Sequence, residues 1–366
     1  MSRTRKRARQ EGVIVGTLPP GPRNDITDVE GVSVGHSTII KGEGKHIPGS
    51  GPVRTGVTVI LPHQGDLWND RPSAGFFALN GCGEFCGAQW IDESGALEGP
   101  IALTNTHSVG DVARALTQWM ITRHPAIARE EDAYLPVVAE CDDSTVNDLH
   151  GFHVEAEHVR SALEAANISK AVQEGSVGAG TGMTCYGFKG GIGSASRRLD
   201  LAENSFHIGV LVNTNHGQTE QLLIDGFPVG RFLKEKHKKH NKEGSIVIVI
   251  ATDAPLNQRQ LERVAKRACL GLARTGAIAA NGSGDFALAF STTRRIARYS
   301  EQSIIKLPEL HSDRVNLFFQ ATAEATEEAI LNSIFMAHTV EGRDGNTIHA
   351  FPIDECKSIL ERLNKA

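Results

Sequence analysis

The chain has 366 residues, of which 40% are hydrophobic, and this is enough to bury a sizeable core. A net charge of −5 argues against nucleic acid or an anionic membrane as the main partner. No stretch approaches the roughly 18 apolar residues of a membrane span, and no apolar run of secretory length follows the basic N-terminus. The six cysteines are scattered, which suits reduced thiols. We therefore expect a soluble, cytoplasmic protein.

Predicted strands and helices alternate along the chain. Residues 1–55 look irregular, with short strands around Gly31–Ile40. The later predicted strands are Thr55–Leu61, Pro136–Ala139, Phe206–Val212 and Asp285–Ser291. The predicted helices are Val109–Thr122, Val154–Val172, Leu256–Thr275 and Thr322–Ala337. This mixture, without an internal repeat, indicates stacked layers of α-helix and β-sheet.

The chain changes character abruptly at the bond between Gly244 and Ser245. Residues 234–244 carry no apolar side chain, so they predict an exposed, mobile linker. Ser245 then opens the run Ser-Ile-Val-Ile-Val-Ile-Ala-Thr, which is typical of a strand buried on both faces. From the pattern alone, Ser245 is also compatible with an ordinary first residue of a strand.

The same junction suits an intramolecular N→O acyl shift. The hydroxyl of Ser245 would attack the preceding carbonyl, Gly244 leaves room for the tetrahedral intermediate, and water would then cleave the ester. The freed α-amine has a reference pKa of roughly 7.7–8.0, so it can take the hydroxyl proton near neutral pH. Such a residue supplies both nucleophile and base.

Several segments resemble one enzyme family. Ser245–Leu256 resembles the start of the β chain in the DmpA-type aminopeptidases, which are L-aminopeptidase/D-amidase/D-esterases with β-peptidyl aminopeptidase relatives. The further matching segments are Asn24–His36, Thr104–Gly110, Gly187–Arg197 and Gly271–Asp285. The resemblance implies a four-layer α/β/β/α sandwich of the N-terminal nucleophile type, with the nucleophile strand central. It also implies a single catalytic domain that cuts itself into an α chain (1–244) and a β chain (245–366), and a homo-oligomer of four such pairs.

The resemblance also implies roles for residues around Ser245. Ser283 and Asp285 are two positions apart and point the same way in an extended segment; the resemblance makes them a relay in which the carboxylate orients the serine. A polar turn is the alternative. Asn215 ends an apolar strand, and the resemblance makes its side-chain N–H a donor to the developing oxyanion. Asn213 is the other candidate, and an Asn-rich turn explains both without catalysis.

The loop after the strand at 136–139 departs from the family. Relatives have Gly-Tyr where this chain has Ser144 and Thr145, and their tyrosine lines the catalytic pocket. We therefore expect Thr145 to alter the shape of the pocket and the substrate preference. Glu140 and Asp143 are candidates to bind the ammonium group of a substrate, with solvated turn carboxylates as the alternative.

The remaining patterns predict no cofactor and no metal. Gly178–Gly182 lacks the last glycine of a dinucleotide loop and the lysine of a P-loop, so it predicts a tight turn. Cys82 and Cys86 have no second cysteine pair. Three histidines near acids match no zinc template, namely His150, His153 and His158. The basic run at 234–242 fits a cleavable linker better than a nucleic-acid patch.

These observations together predict a self-processing serine aminopeptidase or amidase. We expect it to release N-terminal residues, including D- or β-amino acids, from short peptides, amides or esters through an acyl-Ser245 intermediate. One alternative is an arginine-biosynthesis-type N-acyltransferase with a similar self-cleaving fold, although its nucleophile is usually threonine. The other alternative is a non-catalytic, uncleaved binding protein.

Overall fold

The computed structural model describes residues 4–166, 170–202, 204–234 and 244–365. Its strands are β1 (Ser33–Lys41), β2 (Val53–Leu61), β3 (Asp70–Gly81), β4 (Phe85–Cys86), β5 (Ile101–Asn105), β6 (Val137–Cys141), β7 (Thr184–Cys185), β8 (Phe188–Lys189), β9 (Gly191–Leu201), β10 (Asn204–Asn215), β11 (Ser245–Thr252), β12 (Gly284–Ala297), β13 (Val340–Glu341) and β14 (Thr347–Ile348). Its α-helices are α1 (Ala88–Ser94), α2 (Val109–Arg123), α3 (Ala156–Ala165), α4 (Val229–Phe232), α5 (Gln258–Arg274), α6 (Val315–Met336) and α7 (Ile353–Leu363).

Two five-stranded sheets form the centre of the molecule. The first has the order β1-β2-β5-β6-β4, and only its β5–β6 pair is parallel. The second has the order β3-β12-β11-β10-β9, and only its β11–β12 pair is parallel. The strand that begins with Ser245 is therefore the middle strand of its sheet, as predicted.

The side chains of β11 alternate between two separate hydrophobic layers. Ile246, Ile248 and Ile250 pack towards α5 and α6, whereas Val247 and Val249 pack against residues of the first sheet. On the far side of the first sheet, α2 and α3 cover a third layer. The order helix, sheet, sheet, helix confirms the predicted four-layer sandwich. Because β11 is buried on both faces, its long apolar run anchors Ser245 rigidly.

Helix α6 lies unusually close to strand β9. A β-carbon placed on Gly193 would come within 2.0 Å of the carbonyl oxygen of Ala329, so glycine is required there. Alongside, the fully buried Arg197 pairs with Glu324 at 3.2 Å and with Glu328 at 2.9 Å. Buried charges need such partners, and these pairs fix α6 on the sheet that carries the site.

The predicted helix over Val154–Val172 is wrong in length. Helix α3 covers only Ala156–Ala165, and residues 167–169 lie outside the described ranges. Val172 is not helical because its backbone N–H donates to the buried Oδ2 of Asp25 at 3.1 Å, which ties this segment to the N-terminal region. A long-range bond of this kind leaves no periodic signal in the sequence.

The other predicted helices and strands are present, most of them longer than predicted. Strands β3 and β9 were not predicted, because both mix glycine and charge with apolar residues and do not alternate regularly.

Most of the predicted linker, residues 235–243, lies outside the described residues. Within the part of the chain that the structure describes, no helix is both long and apolar enough to cross a membrane.

Candidate active site

Ser245 is the first residue of β11 and is 7% exposed. Strands β11 and β12 are parallel, so both begin at the same edge of the sheet, and Ile246 lies opposite Asp285. This places the backbone N–H of Gly284 against the serine, where it donates to Ser245 Oγ at 3.1 Å. The hydroxyl of Ser245 is thus held by a backbone donor at the start of the central strand.

Ser283 lies between a carboxylate and the carbonyl that precedes Ser245. Its Oγ is 2.7 Å from Asp285 Oδ1 and also contacts the carbonyl oxygen of Gly244. Burial raises the pKa of Asp285, and the hydrogen bond with Ser283 works in the opposite direction. A hydroxyl donates only one proton. Ionised Asp285 therefore accepts the one hydrogen bond that Ser283 can donate, whereas protonated Asp285 donates to Ser283 and frees that hydroxyl to donate to the Gly244 carbonyl.

The side chain of Asn215 is fixed close to Gly244. Asn215 pairs with Ser245 across β10 and β11. Its Oδ1 accepts from the backbone N–H of Thr184 at 2.9 Å and from the Thr184 hydroxyl at 3.2 Å, and its Nδ2 donates to the Asp142 carbonyl at 2.8 Å. These bonds fix the orientation of the amide. One N–H of the amide group is left for a further acceptor.

Asn213 is placed differently from Asn215. It lies two residues earlier on β10, fully buried between the layers, and neither polar atom of its side chain has a hydrogen-bond partner among the described residues. The structure brings Asn215, and not Asn213, to the edge of the sheet where Ser245 lies.

The position of Gly244 admits no side chain. A β-carbon built there would lie 1.8 Å from the carbonyl oxygen of Asn215 and 3.5 Å from its Nδ2. Real β-carbons do not approach backbone oxygen so closely, so any larger residue would push the peptide away from Ser245. The glycine therefore lets the chain pass tightly over the end of β10.

The two predicted ammonium-binding carboxylates are both engaged by the protein itself. Glu140 is 3% exposed; its Oε1 accepts from the backbone N–H of Glu84 at 3.0 Å, and the Thr106 hydroxyl donates to its Oε2. Burial raises the pKa of Glu140. Asp143 is fully buried, accepts from Asn147 Nδ2 at 2.8 Å, and has its pKa raised by burial to about 7.

Thr145 lies on an exposed part of the same loop. Its carbonyl oxygen accepts from Asn346 Nδ2 at 2.9 Å, which ties the loop to the segment between β13 and β14. Thr145 is three residues beyond Asp142, whose carbonyl holds Asn215. The loop therefore contacts the site through its backbone.

A small cavity of about 100 Å³ borders the site. Its lining comprises Ser283, Asp285 and Gly244 together with His216–Gln218, Gln221 and residues 277–280. Glu140, Asp143 and Thr145 do not line it. A larger cavity of about 550 Å³ lies between α2 and α3 and contains none of the predicted site residues, so we do not assign it to the same chemistry.

Three contributors to the site were not predicted as such. These are the backbone N–H of Gly284, the backbone carbonyl of Asp142, and Thr184. The first two act through the main chain, which carries no residue-specific signal. Thr184 precedes the segment Gly187–Arg197 that matched the family, but its contact with Asn215 depends on the short hairpin of β7 and β8.

Comparisons with known proteins assign the chain to a family. Residues 24–348 match the model of peptidase family S58. The chain is 41% identical over 375 residues to a β-peptidyl aminopeptidase of Sphingosinicella microcystinivorans, covering 98% of this chain and 93% of that protein. The chain belongs to peptidase family S58.

Solved structures related to peptidase family S58 share the whole architecture. A protein from Pyrococcus horikoshii OT3 is 47% identical with a TM-score of 0.93, covering 98% of this chain and 99% of that one. The L-aminopeptidase D-Ala-esterase/amidase of Ochrobactrum anthropi, described as a variant of the N-terminal nucleophile hydrolase fold, is 37% identical with a TM-score of 0.90, covering 99% of each chain. The chain is thus a serine-type peptidase of this class, and its predicted aminopeptidase function is confirmed.

We predict that Thr184→Val lowers the aminopeptidase activity without abolishing it. Valine keeps the shape but deletes the hydroxyl that donates to Asn215 Oδ1, leaving only the backbone donor. One hydrogen bond contributes about 0.5–1.5 kcal/mol, so kcat/KM should fall about 2- to 10-fold. Aminopeptidase assays with an aminoacyl p-nitroanilide measure this.

Thr122→Val is the matched control. That threonine is exposed on α2, and its hydroxyl bonds only within the helix, to the Gln118 carbonyl at 2.8 Å. Its kcat/KM should equal that of the parent. An equal loss in both variants would show that Thr184 does not act through Asn215.

Proposed function

We propose that the chain matures by cutting its own Gly244–Ser245 bond and then hydrolyses substrates with Ser245 as its N-terminal nucleophile. The observation that carries this proposal is the arrangement at the start of β11. Ser245 Oγ, held by the Gly284 N–H, directly follows the Gly244 carbonyl, and that carbonyl contacts Ser283.

Maturation proceeds by an N→O acyl shift. Ser245 Oγ attacks the Gly244 carbonyl carbon, and the negative charge that develops on the carbonyl oxygen is stabilised by the amide of Asn215 and, while Asp285 is protonated, by the Ser283 hydroxyl. The C–N bond breaks, the nitrogen takes up a proton, and an ester joins Gly244 to the serine oxygen. Water then hydrolyses this ester, leaving the carboxylate of Gly244 and a free Ser245.

Turnover repeats the same chemistry on a substrate. The α-amine of Ser245 takes the proton from Oγ, which attacks the carbonyl of the substrate's first residue, and the leaving amine receives that proton. Asn215 donates to the oxyanion; removing such a donor typically slows catalysis by roughly 10²–10³. Asp285 orients Ser283 as a relay beside the nucleophile. Water then releases the amino acid from the acyl-Ser245 intermediate.

The substrates we propose are short peptides, amides and esters with a free N-terminus. The Sphingosinicella relative is named for β-peptidyl substrates and the Ochrobactrum relative for L-amino-acid and D-alanyl substrates, which supports tolerance of unusual N-terminal residues. Glu140 and Asp143 remain our candidates to attract the substrate ammonium group, although both also hold the loop. We further propose a cytoplasmic homo-oligomer of four αβ pairs, without nucleic-acid or membrane partners.

The first prediction concerns maturation. The parent should run as two bands on a denaturing gel, the smaller beginning Ser-Ile-Val-Ile by N-terminal sequencing. Ser245→Ala should stay full-length and inactive, because it lacks the attacking hydroxyl. A single full-length band in active parent enzyme would refute self-cleavage.

Gly244→Ala tests the tight passage at the cut bond. Its β-carbon would collide with the Asn215 carbonyl and displace the scissile peptide, so maturation should slow markedly. Gly110→Ala is the control, since a β-carbon there meets nothing within 4 Å. Equal maturation rates for both variants would contradict the geometry proposed for the cut.

The second prediction concerns pH. Turnover needs a neutral Ser245 amine and an ionised Asp285, whose pKa burial raises. Activity is therefore lost as pH falls through each pKa, and the slope of log kcat/KM against pH should steepen from about one to about two. Asp285→Asn should lower the rate and keep the shallower slope. Both proteins are compared on one substrate, so that ionisation of the substrate affects both profiles equally. If the variant kept the slope of about two, Asp285 would not be the second group that must be ionised.

The third prediction concerns Thr145. If this position shapes the substrate pocket, Thr145→Tyr fills space and adds a hydroxyl donor. We then expect kcat/KM to rise on a small aminoacyl p-nitroanilide and to fall on a bulky one. Equal changes on both substrates, or none, would show that Thr145 lies outside the pocket.

A further inference from the structure

Histidines from two separate loops converge on one buried carboxylate. Asp148, whose side chain is fully buried, has His46 Nε2 at 2.8 Å from Oδ1 and His153 Nε2 at 3.0 Å from Oδ2. The ring of His150 stacks on that of His46 with centroids 6.0 Å apart. One donor atom each from His46, Asp148 and His150 lie within 4.8 Å of one another.

We propose that His46, Asp148 and His150 bind a divalent transition-metal ion of the zinc type. Two imidazoles and one carboxylate form a ligand set that zinc uses with a water in the fourth position. Bonds of about 2.0–2.1 Å place tetrahedral ligands about 3.3 Å apart. His46 Nε2 and Asp148 Oδ1 are 2.8 Å apart, so these two atoms would separate by about 0.5 Å when an ion replaces the proton that now bridges them.

The surroundings provide what a metal site requires beyond its ligands. His153 binds the other oxygen of Asp148 and orients the carboxylate from outside the ligand set. The backbone N–H of His46 donates to Asp344 Oδ1 at 2.9 Å, and that of Asp148 donates to the Pro52 carbonyl at 3.1 Å. The partly buried His46 and the buried Asp148 are therefore held in place, whereas the exposed His150 is free to close on the ion and leaves a path to solvent.

The metal site would connect the loop that supports Asn215 to a second segment of the chain. This loop runs from Asp142, whose carbonyl holds the Asn215 amide, to Asp148. His46 lies far away in sequence, on the segment between β1 and β2. A metal bridging the two segments would stiffen the loop without contacting the nucleophile. The spacing of histidines in the sequence did not predict this metal site, because His46 lies far from Asp148 and His150 along the chain.

The test uses the full chain without a histidine tag and with His237→Gln and His240→Gln throughout, so that histidines of the 234–242 run do not bind metal. Calorimetry with Zn²⁺ should show one ion per chain, with an affinity that falls as pH drops because protons compete with the ion for its ligands. Co²⁺ should give the visible absorption of a tetrahedral site. Zn²⁺ should also raise the melting temperature.

Graded variants separate ligands from supporting residues. His46→Asn and Asp148→Asn should each lower the affinity more than about 100-fold and abolish the Co²⁺ bands, whereas His153→Asn should cost about 10- to 100-fold. His311→Asn is the control, because His311 forms an exposed pair with Asp313 and no third ligand lies near it among the described residues. Melting curves without metal establish that each variant is folded. Zinc binding by the parent no tighter than by His46→Asn overturns the proposal, and this outcome leaves self-cleavage at Ser245 untouched.

Discussion

The register of three strand ends is the constraint on which the site depends. Antiparallel pairing sets Asn215 opposite Ser245, and parallel pairing sets Asp285 opposite Ile246. A shift of one residue in either pairing would turn these side chains to the other face of the sheet. The register is fixed because β11 is buried on both faces, so that slipping it would force its isoleucines and valines out of their two layers.

This arrangement explains how polar groups persist in the middle of a large apolar structure. Ser245, Ser283 and Asp285 are all buried. Ser245 Oγ accepts from the backbone N–H of Gly284, and Ser283 bonds to Oδ1 of Asp285, whose Oδ2 has no hydrogen-bond partner among the described residues. Burial without partners costs several kcal/mol, and backbone groups that are still free where a strand begins can serve as partners. The backbone N–H of Gly284 is one such group, and it donates to Ser245 Oγ.

Much of this could be predicted from the sequence, for physical reasons that differ between residues. The run after Ser245 has the pattern of a strand buried on both faces, so its central place was visible in the residues themselves. The spacing of Ser283 and Asp285 predicted that they share a side, since alternate residues of an extended chain do so, but their role as a relay came from the family resemblance. The sequence did not predict the contact of Thr184 with Asn215 or the proposed metal site around Asp148. Both depend on contacts between segments that are distant in sequence. The length of α3 was missed for the same reason: a contact with Asp25 removes Val172 from the helix.

The contact between Ser283 and the Gly244 carbonyl has a consequence for the order of events after the cut. Hydrolysis would convert that neutral carbonyl into an anionic chain end beside the carboxylate of Asp285. Two like charges in a buried place repel each other strongly. The new terminus would therefore be driven away from Asp285 and towards water. Self-cleavage would in this way eject its own product, become irreversible, and vacate the space that the first residue of a substrate then enters.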